Sequence, residues 1–219
     1  MSATLVFGDE RLAFTTRIIG RHNLSNLLAV AAVLGVQGLS PAEIVVELGK
    51  LQPPAGRMAC LGGNAAPLVV VDYAHTPDAL ANILAALRDV TQARGGKLFC
   101  IFGCGGDRDP GKRPEMGRVA AAAADMVCIT SDNPRWESPA DILQAIAVGA
   151  PSARMVEDRA LAIQQVIAEA SAEDVVLLAG KGHETEQEIR GQRYPFDDAV
   201  HAKAALAAWN EQQLVGAEV

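Results

Sequence analysis

The sequence is short of several things, and each shortage excludes a class of function. Basic residues are outnumbered, 19 against 26 acidic ones in 219 residues, for a formal charge of −7. A nucleic-acid binder would show a basic face, so none is expected as a partner. Apolar runs are short: Pro67–Val71 ends in polar residues, and no stretch is long enough to span a membrane. Met1–Glu10 lacks the basic stretch, apolar run and small-residue cleavage site of a signal peptide, so a cytoplasmic protein is expected. Cys60, Cys100, Cys104 and Cys128 form no CxxC pair, and three of them sit in or beside apolar runs. They read as buried free thiols in a reducing compartment. His22, His75, His183 and His201 make no HxH or HxxxH, and no metal ligation is expected from them. No lysine is followed by Ser or Thr as GxxxxGK[ST] requires, and no GxGxxG follows the first strand. An autonomous P-loop ATPase or dinucleotide dehydrogenase is therefore disfavoured.

What is present is aliphatic. Half the residues are hydrophobic, mostly Ala, Val, Leu and Ile, and only 4% are aromatic. A chain of this size buries roughly 70% of its unfolded surface, enough for one good core or two modest ones without disulfides. Thr4 to Ile19 reads as two extended stretches around Gly8-Asp9-Glu10, followed by a helix from Asn23 to Val36. Ser40-Pro41-Ala42-Glu43 is a capping box with proline at the first helical position, opening a helix to Leu51. Pro53, Pro54 and Gly56 stop it, and with Gly62-Gly63-Asn64 they bracket a boundary near residues 53 to 66.

Beyond the boundary the pattern alternates. Strands are expected at 68–71, 97–102, 126–130, 154–156 and 175–179, and helices at 77–94, 114–124, from Ser138, and at 158–170. The strands have almost no polar alternation, which indicates a parallel sheet covered on both faces. Glu188 to Phe196 reads as a small hairpin and Asp197 to Gln213 as a closing helix.

In an open α/β sheet ligands gather at the carboxyl ends of the strands. Four of those ends run into polar loops: Asp72–Asp78, Gly103–Pro114, Ser131–Arg135 and Gly180–Glu184. Each loop alone has a structural explanation, as a glycine turn, an Asx turn or a hydrogen-bonded histidine. Together they place Arg108, Lys112, Arg113, Arg135 and Lys181 on one edge of an acidic protein, where an anionic ligand would be drawn.

Six ordered motifs are similar to those of the Mur ligase family: Gly20–Asn26, Gly56-Arg57-Met58, Asp72–Asp78, Gly103–Pro114, Asp132-Asn133-Pro134-Arg135 and Gly180–Glu184. The run Asp-Asn-Pro-Arg resembles the signature of the branch that adds meso-diaminopimelate to UDP-N-acetylmuramoyl-L-alanyl-D-glutamate. That resemblance implies an α/β, Rossmann-like C-terminal ligase domain with a mainly parallel sheet over residues 57–219. A C-terminal remnant of the central ATPase domain would precede it at residues 1–56. The P-loop, the nucleotide-sugar domain and the magnesium ligands of such enzymes would lie outside this chain, leaving a monomeric fragment inactive alone.

In the complete enzyme ATP, with Mg2+, would phosphorylate the glutamate carboxylate of the UDP-linked dipeptide, and the incoming amine would attack the acyl phosphate. Positioning and charge stabilisation would carry such a reaction. By resemblance Asn23 and Asn26 would touch adenine, Asp72 the ribose and Arg57 the phosphates, with Arg57 and His75 as catalytic candidates. Diaminopimelate would be held by Arg108, Asp132, Asn133, Pro134, Arg135, Gly180 and Glu184. Arg108 and Arg135 would pair its carboxylates, while Asp132, Asn133, the Gly180 carbonyl and Glu184 would accept its ammonium protons. A lysine ligase has no distal carboxylate for Arg135, which is how the motif could discriminate. Two other readings stay open: a stand-alone anion-binding domain without ligase activity, and a Mur-type ligase for another amino acid.

Overall fold

A computed structural model of the chain describes residues 1–16, 18, 20 and 22–216, without the side chains of His22 and 214–216. Arg17, Ile19 and Arg21, which fall in the expected extended stretch and first motif, lie outside the described residues. The chain divides into two compact units, Met1–Pro54 and Ala55–Val219.

In the first unit β1 (Ser2–Phe7) and β2 (Glu10–Thr15) pair antiparallel across a turn at Gly8 and Asp9, with Gly8 at φ +61°. Helices α1 (His22–Val36) and α2 (Pro41–Lys50) follow. The capping box is formed in both directions: the Glu43 N–H donates to Ser40 Oγ, and the Ser40 N–H donates to Glu43 at 2.9 Å. Leu5, Leu27, Ala31, Ile44 and Leu48 make a small core. Phe7, Leu28, Val33 and Val36 stay exposed.

The second unit is built on a sheet of six strands in the order β3-β4-β8-β5-β6-β7. These are β3 (Ala59–Gly62), β4 (Leu68–Asp72), β5 (Leu98–Phe102), β6 (Met126–Ile129), β7 (Arg154–Met155) and β8 (Val175–Ala179). All neighbours are parallel except β3, which runs antiparallel to β4 along the edge. The intervening helices are α3 (Pro77–Arg94), α4 (Lys112–Ala123), α5 (Pro139–Ala147) and α6 (Arg159–Glu169). Strands β9 (Glu186–Ile189) and β10 (Gln192–Pro195) form a separate hairpin, and α7 (Asp198–Gly216) closes the chain. No described helix is long and apolar enough to cross a membrane.

The continuous apolar runs become strands buried on both faces: every residue of β5 and β8 is inaccessible or nearly so. Ile163, Val166 and Ile167 of α6 and Ala202, Leu206 and Trp209 of α7 cover one face with Val69, Val71, Val176 and Leu178. Punctuation is local. Thr76 caps α3 by accepting from the Ala79 N–H, Pro77 occupies its first turn, and Gly95 ends it at φ +76°.

Three details differ from the sequence reading. Strand β3 lies inside the expected boundary, because its short apolar run, Met58–Leu61, is enclosed by the Pro- and Gly-rich residues that read as a break between units. Helix α4 starts at Lys112 rather than Pro114, since a proline in the first turn gives up no intrahelical bond. Cys60 is exposed, whereas Cys100, Cys104 and Cys128 are buried. Burial pushes the Cys100 and Cys104 thiols to about 12 and that of Cys128 to about 11.

One buried ion pair joins the layers. The guanidinium of Arg159, the first residue of α6, donates twice to the Asp198 carboxylate at the start of α7, both at 2.7 Å. It also donates to the Ala179 carbonyl at 3.0 Å and the Ser131 carbonyl at 3.5 Å. Both side chains of the pair are fully buried. Arg159→Met leaves an uncompensated buried carboxylate and is expected to destabilise the second unit by about 3–5 kcal/mol. Urea denaturation followed by tryptophan fluorescence checks this, since Trp136 and Trp209 both lie in that unit. A loss under about 1 kcal/mol, the level of a surface pair, would contradict it.

Candidate functional site

The carboxyl ends of β5, β6 and β8 bring three loops together. Thr130 N–H donates to the Phe102 carbonyl and Gly106 N–H to the Asn133 carbonyl, lashing the loop after β6 to the loop after β5. The hairpin adds a third strut: Arg135 N–H donates to the Glu188 carbonyl at 3.0 Å and Arg190 N–H to the Arg135 carbonyl at 2.6 Å. Asp107 and Arg135 are both held at φ +52°, a conformation that non-glycine residues rarely adopt. Such strain is maintained only where surroundings over-determine it, and here the amides of Gly106, Asp107, Arg135 and Trp136 all have partners. Asp107 N–H donates to Glu137, and Asp107 Oδ2 accepts from the Trp136 N–H.

Between these loops and the hairpin lies a cleft of about 370 Å3, lined by Asn133, His183, Glu184, Thr185, Glu186, Glu188 and Arg193. Asp132 beside it is buried, with only 10% of its side chain exposed. No described group donates a hydrogen bond to its carboxylate, and the nearest cation is Lys181 Nζ at 4.0 Å. Burial raises the Asp132 carboxyl above its ordinary value, while Arg159 and Lys181 pull it down and Glu184 and Asp198 push it up. An unpartnered carboxylate of this kind is chemically suited to an ammonium ligand. Gly180 faces it at φ +114°, and a Cβ there would sit 2.9 Å from Asp132 Oδ2. Only glycine leaves that approach open.

Arg193 is the arginine in the cleft's lining, and Arg108 and Arg135 lie nearby, against Gly105. A Cβ on Gly105 would lie 2.8 Å from Arg135 Nη1 and 3.7 Å from Arg108 Cγ. Arg108 is exposed with no described partner. Arg135 donates to the Gly106 carbonyl at 2.8 Å and pairs with Glu188 at 3.5 Å, leaving further N–H groups for a ligand carboxylate. Pro134 is buried, and its carbonyl accepts from the Glu137 N–H.

The other cations expected along this edge are already engaged. Lys181 is fully buried among Asn133, Glu184 and the Glu186 carbonyl. Arg113 is 5% exposed and pairs with Glu137 at 2.8 Å, while Lys112 donates to the His75 carbonyl. Asn133 also differs from expectation. Its Oδ1 accepts from Glu188 N–H and Lys181 Nζ, and its Nδ2 donates to Glu184, so it has no acceptor left for an ammonium. The part played by Glu188 was not readable, because its pairing with Arg135 depends on a hairpin docking far along the chain.

A second cluster lies at the end of β4. Asp72 accepts from the Met58 and Ala74 amides at 2.9 and 2.8 Å, holding Met58 at φ +48°. Exposed Arg57 stacks its guanidinium over Tyr73, 5.1 Å from the ring centroid, and the Tyr73 ring is 4.6 Å from His75. His75 Nδ1 contacts the Tyr73 carbonyl at 2.8 Å; a carbonyl only accepts, so the Nδ1–H tautomer fits and Nε2 is the free acceptor. A Cβ on Gly56 would come within 2.8 Å of Gly182 Cα, so the two glycines bring Arg57 alongside the 180–184 loop. Asn23 and Asn26 belong to α1 of the first unit, where Asn26 Nδ2 donates to Asn23 Oδ1 at 2.9 Å. Among the described residues no group of three or more His, Cys, Asp or Glu side chains is placed to hold a metal ion.

The sequence profile described as "Mur ligase, glutamate ligase domain" matches residues 56–182. The chain belongs to the Mur ligase family. It is 51% identical over 210 residues to the UDP-N-acetylmuramoyl-L-alanyl-D-glutamate–2,6-diaminopimelate ligase of Acidovorax sp. (strain JS42), covering 94% of this chain and 42% of that one. The ligase of the same name from Ectopseudomonas mendocina (strain ymp) is 54% identical over 197 residues, 89% of this chain and 40% of the relative. A solved structure of a ligase with that name superposes with a TM-score of 0.73 at 40% identity, over 95% of this chain and 43% of that one. The UDP-N-acetylmuramate–alanine ligase of Thermotoga maritima, with a TM-score of 0.67 at 21% identity over 94% of this chain and 41% of that one, shares the fold. This Mur ligase chain thus spans about two fifths of the length of the relatives it matches.

Because the Asp132 carboxyl is raised above its ordinary 3.8, the folded state binds more protons there than the unfolded state. Its contribution to stability therefore falls as pH rises from about 4 through the raised value. Asp132→Asn is expected to raise the urea midpoint at pH 7 and to flatten that pH dependence. A lower midpoint at pH 7 would contradict the assignment.

Proposed function

We propose that this chain is the amino-acid-binding part of an ATP-dependent ligase that adds meso-2,6-diaminopimelate to UDP-N-acetylmuramoyl-L-alanyl-D-glutamate in peptidoglycan synthesis in the cytoplasm. On this reading residues 1–56 are the end of the central ATPase domain and residues 57–219 the ligase domain. The observation that carries the proposal is the pairing of chemistries at one sheet edge. The carboxylate of Asp132 has no hydrogen-bond donor and that of Glu184 keeps one oxygen free, while the Arg135 guanidinium and the stem of Arg108 lie beside Gly105. Diaminopimelate is a chain with an ammonium and a carboxylate at each end. It satisfies both sets, whereas lysine leaves one carboxylate partner unmet.

The two roles divide as follows. Asp132, the Gly180 carbonyl and Glu184 accept from an ammonium, and the same groups orient the attacking amine. Arg108 and Arg135 take carboxylates in charge-assisted hydrogen bonds, over the turn that Pro134 helps to set. ATP supplies the phosphoryl group that activates the accepting carboxylate. Toward it we assign Arg57, Asp72 and His75 of the second unit and Asn23 and Asn26 of the first. Exposed Arg57 beside Tyr73 fits an anionic phosphate, and His75 Nε2 is free to accept a hydrogen bond. Asp72 already accepts two amides, but each oxygen retains a lone pair for a ribose hydroxyl. The divalent cation would be bound by residues outside this chain.

Nitrogen-15 NMR titration of the chain tests this. Meso-diaminopimelate is expected to shift Asn133, Gly180 and Glu184, and L-lysine to bind at least about tenfold more weakly, since a charge-assisted bond contributes about 1.5–3 kcal/mol. Arg135→Ala should erase the difference. Equal affinities for both amino acids, or an unchanged preference in Arg135→Ala, would sink the proposal.

A further inference from the structure

Lys181 has no accessible surface, so no ligand in the cleft can touch it, yet its ammonium sits directly behind two of the groups that line that cleft. All of its hydrogens are committed: to the Glu186 carbonyl at 2.7 Å, to Asn133 Oδ1 at 3.2 Å and to Glu184 Oε2 at 3.3 Å. Its charge also lies 5.8 Å from the centroid of the Phe196 ring.

The consequence is felt first at Asn133. An amide side chain can be turned over at little intrinsic cost, and its orientation is set by its neighbours. Here Oδ1 accepts from two donors, Lys181 Nζ and the Glu188 N–H at 2.9 Å, and flipping the group would aim N–H at both. Nδ2 is thereby directed to Glu184 Oε2 at 2.8 Å. One Nδ2 hydrogen remains for the cleft. Glu184 Oε2 takes both Asn133 and Lys181, and no described group donates to Oε1. The exposed edge of this assembly is one donor beside one anionic acceptor, complementary to the carboxylate and ammonium of an amino-acid end.

The charge balance points the same way. Around the cleft floor, Asp132, Glu184 and Asp198 face Lys181 and Arg159, and Arg159 is already committed to Asp198. Lys181 is the cation within reach of both Asp132, at 4.0 Å, and Glu184, at 3.3 Å.

We propose that Lys181 is a positioning residue for the amino-acid site: it locks the Asn133 amide with its N–H toward Glu184 and the cleft, and holds the Glu184 carboxylate in place, without contacting the ligand. This rests on the reading of the cleft as an amino-acid site.

The test uses the chain itself. In the native protein, nuclear Overhauser contacts from the Asn133 side-chain NH2 should reach the Glu184 methylenes and not the Lys181 methylene next to Nζ. Contacts to Lys181 instead would overturn the proposal. Lys181→Met keeps an unbranched side chain and removes the charge. Once urea denaturation has established that it is folded, its affinity for meso-diaminopimelate should fall at least about tenfold and the Asn133 contacts should average over two orientations. A general structural role would lower the urea midpoint and leave both readouts unchanged, and that result would also overturn the proposal. Should Lys181→Met not fold, Asn133→Asp decides. It preserves the bonds from Lys181 and Glu188 but replaces the donor facing Glu184 with an oxygen, so binding should again fall at least about tenfold. Native affinity in this variant would overturn the proposal. If the native chain does not bind diaminopimelate at all, the functional reading fails, while the Overhauser pattern still tests the orientation assigned to Lys181.

Discussion

Burial of the Arg159–Asp198 pair is the constraint on which the second unit depends. Removing two charges from water costs several kcal/mol per ion, and the cost is met only when geometry is good and remaining donors are satisfied. Arg159 meets both conditions with a forked contact to Asp198 and bonds to the carbonyls of Ala179 and Ser131. Those carbonyls immediately precede Gly180 and Asp132. The same guanidinium therefore fixes α6 to α7 and sets where two site loops leave their strands. Hydrophobic packing of α6 and α7 on the sheet could tolerate a shift of either helix, whereas this four-acceptor arrangement cannot.

The candidate site inherits its order from that arrangement. Most of its groups have a backbone partner: Asp72 is held by two amides, Arg135 by the hairpin on both sides, and Asn133 by a hairpin amide together with the side chains of Lys181 and Glu184. Three non-glycine residues at positive φ, Met58, Asp107 and Arg135, lie in the loops that carry these groups. Strain at such positions is typical of sites whose geometry is fixed before a ligand arrives. Free valences remain on Arg108, on Asp132 and on one oxygen of Glu184, so the site presents separated charges of both signs inside an acidic protein.

Much of this was legible in the sequence because its signals were local. Unbroken apolar runs marked β4, β5 and β8; Ser40, Pro77 and Ser138 marked helix starts; the Gly- and Asp-rich loops marked the carboxyl ends of the strands. The family was legible from six ordered motifs. What escaped were non-local pairings. Insertion of β8 between β4 and β5 leaves no trace in either segment, and the short run of β3 is hidden among prolines and glycines. Nor does a lysine announce whether it faces a ligand or a buried carboxylate: Lys181, Arg113 and Arg108 read alike as cations near glycines. Only the fold commits the first two to Glu184 and Glu137 and leaves the third open.

Burial raises all four cysteine thiols, but the four differ in access to solvent. Three lie inside the second unit with thiols raised to about 12, 12 and 11, so almost none is thiolate at neutral pH. Cys60, on the edge strand two residues from Met58, is the one with access to solvent. The fold has thus reduced a four-thiol protein to one with a single addressable sulfur. A spin label or fluorophore attached there would sit close in sequence to Arg57, and would report on that segment without any cysteine having to be removed.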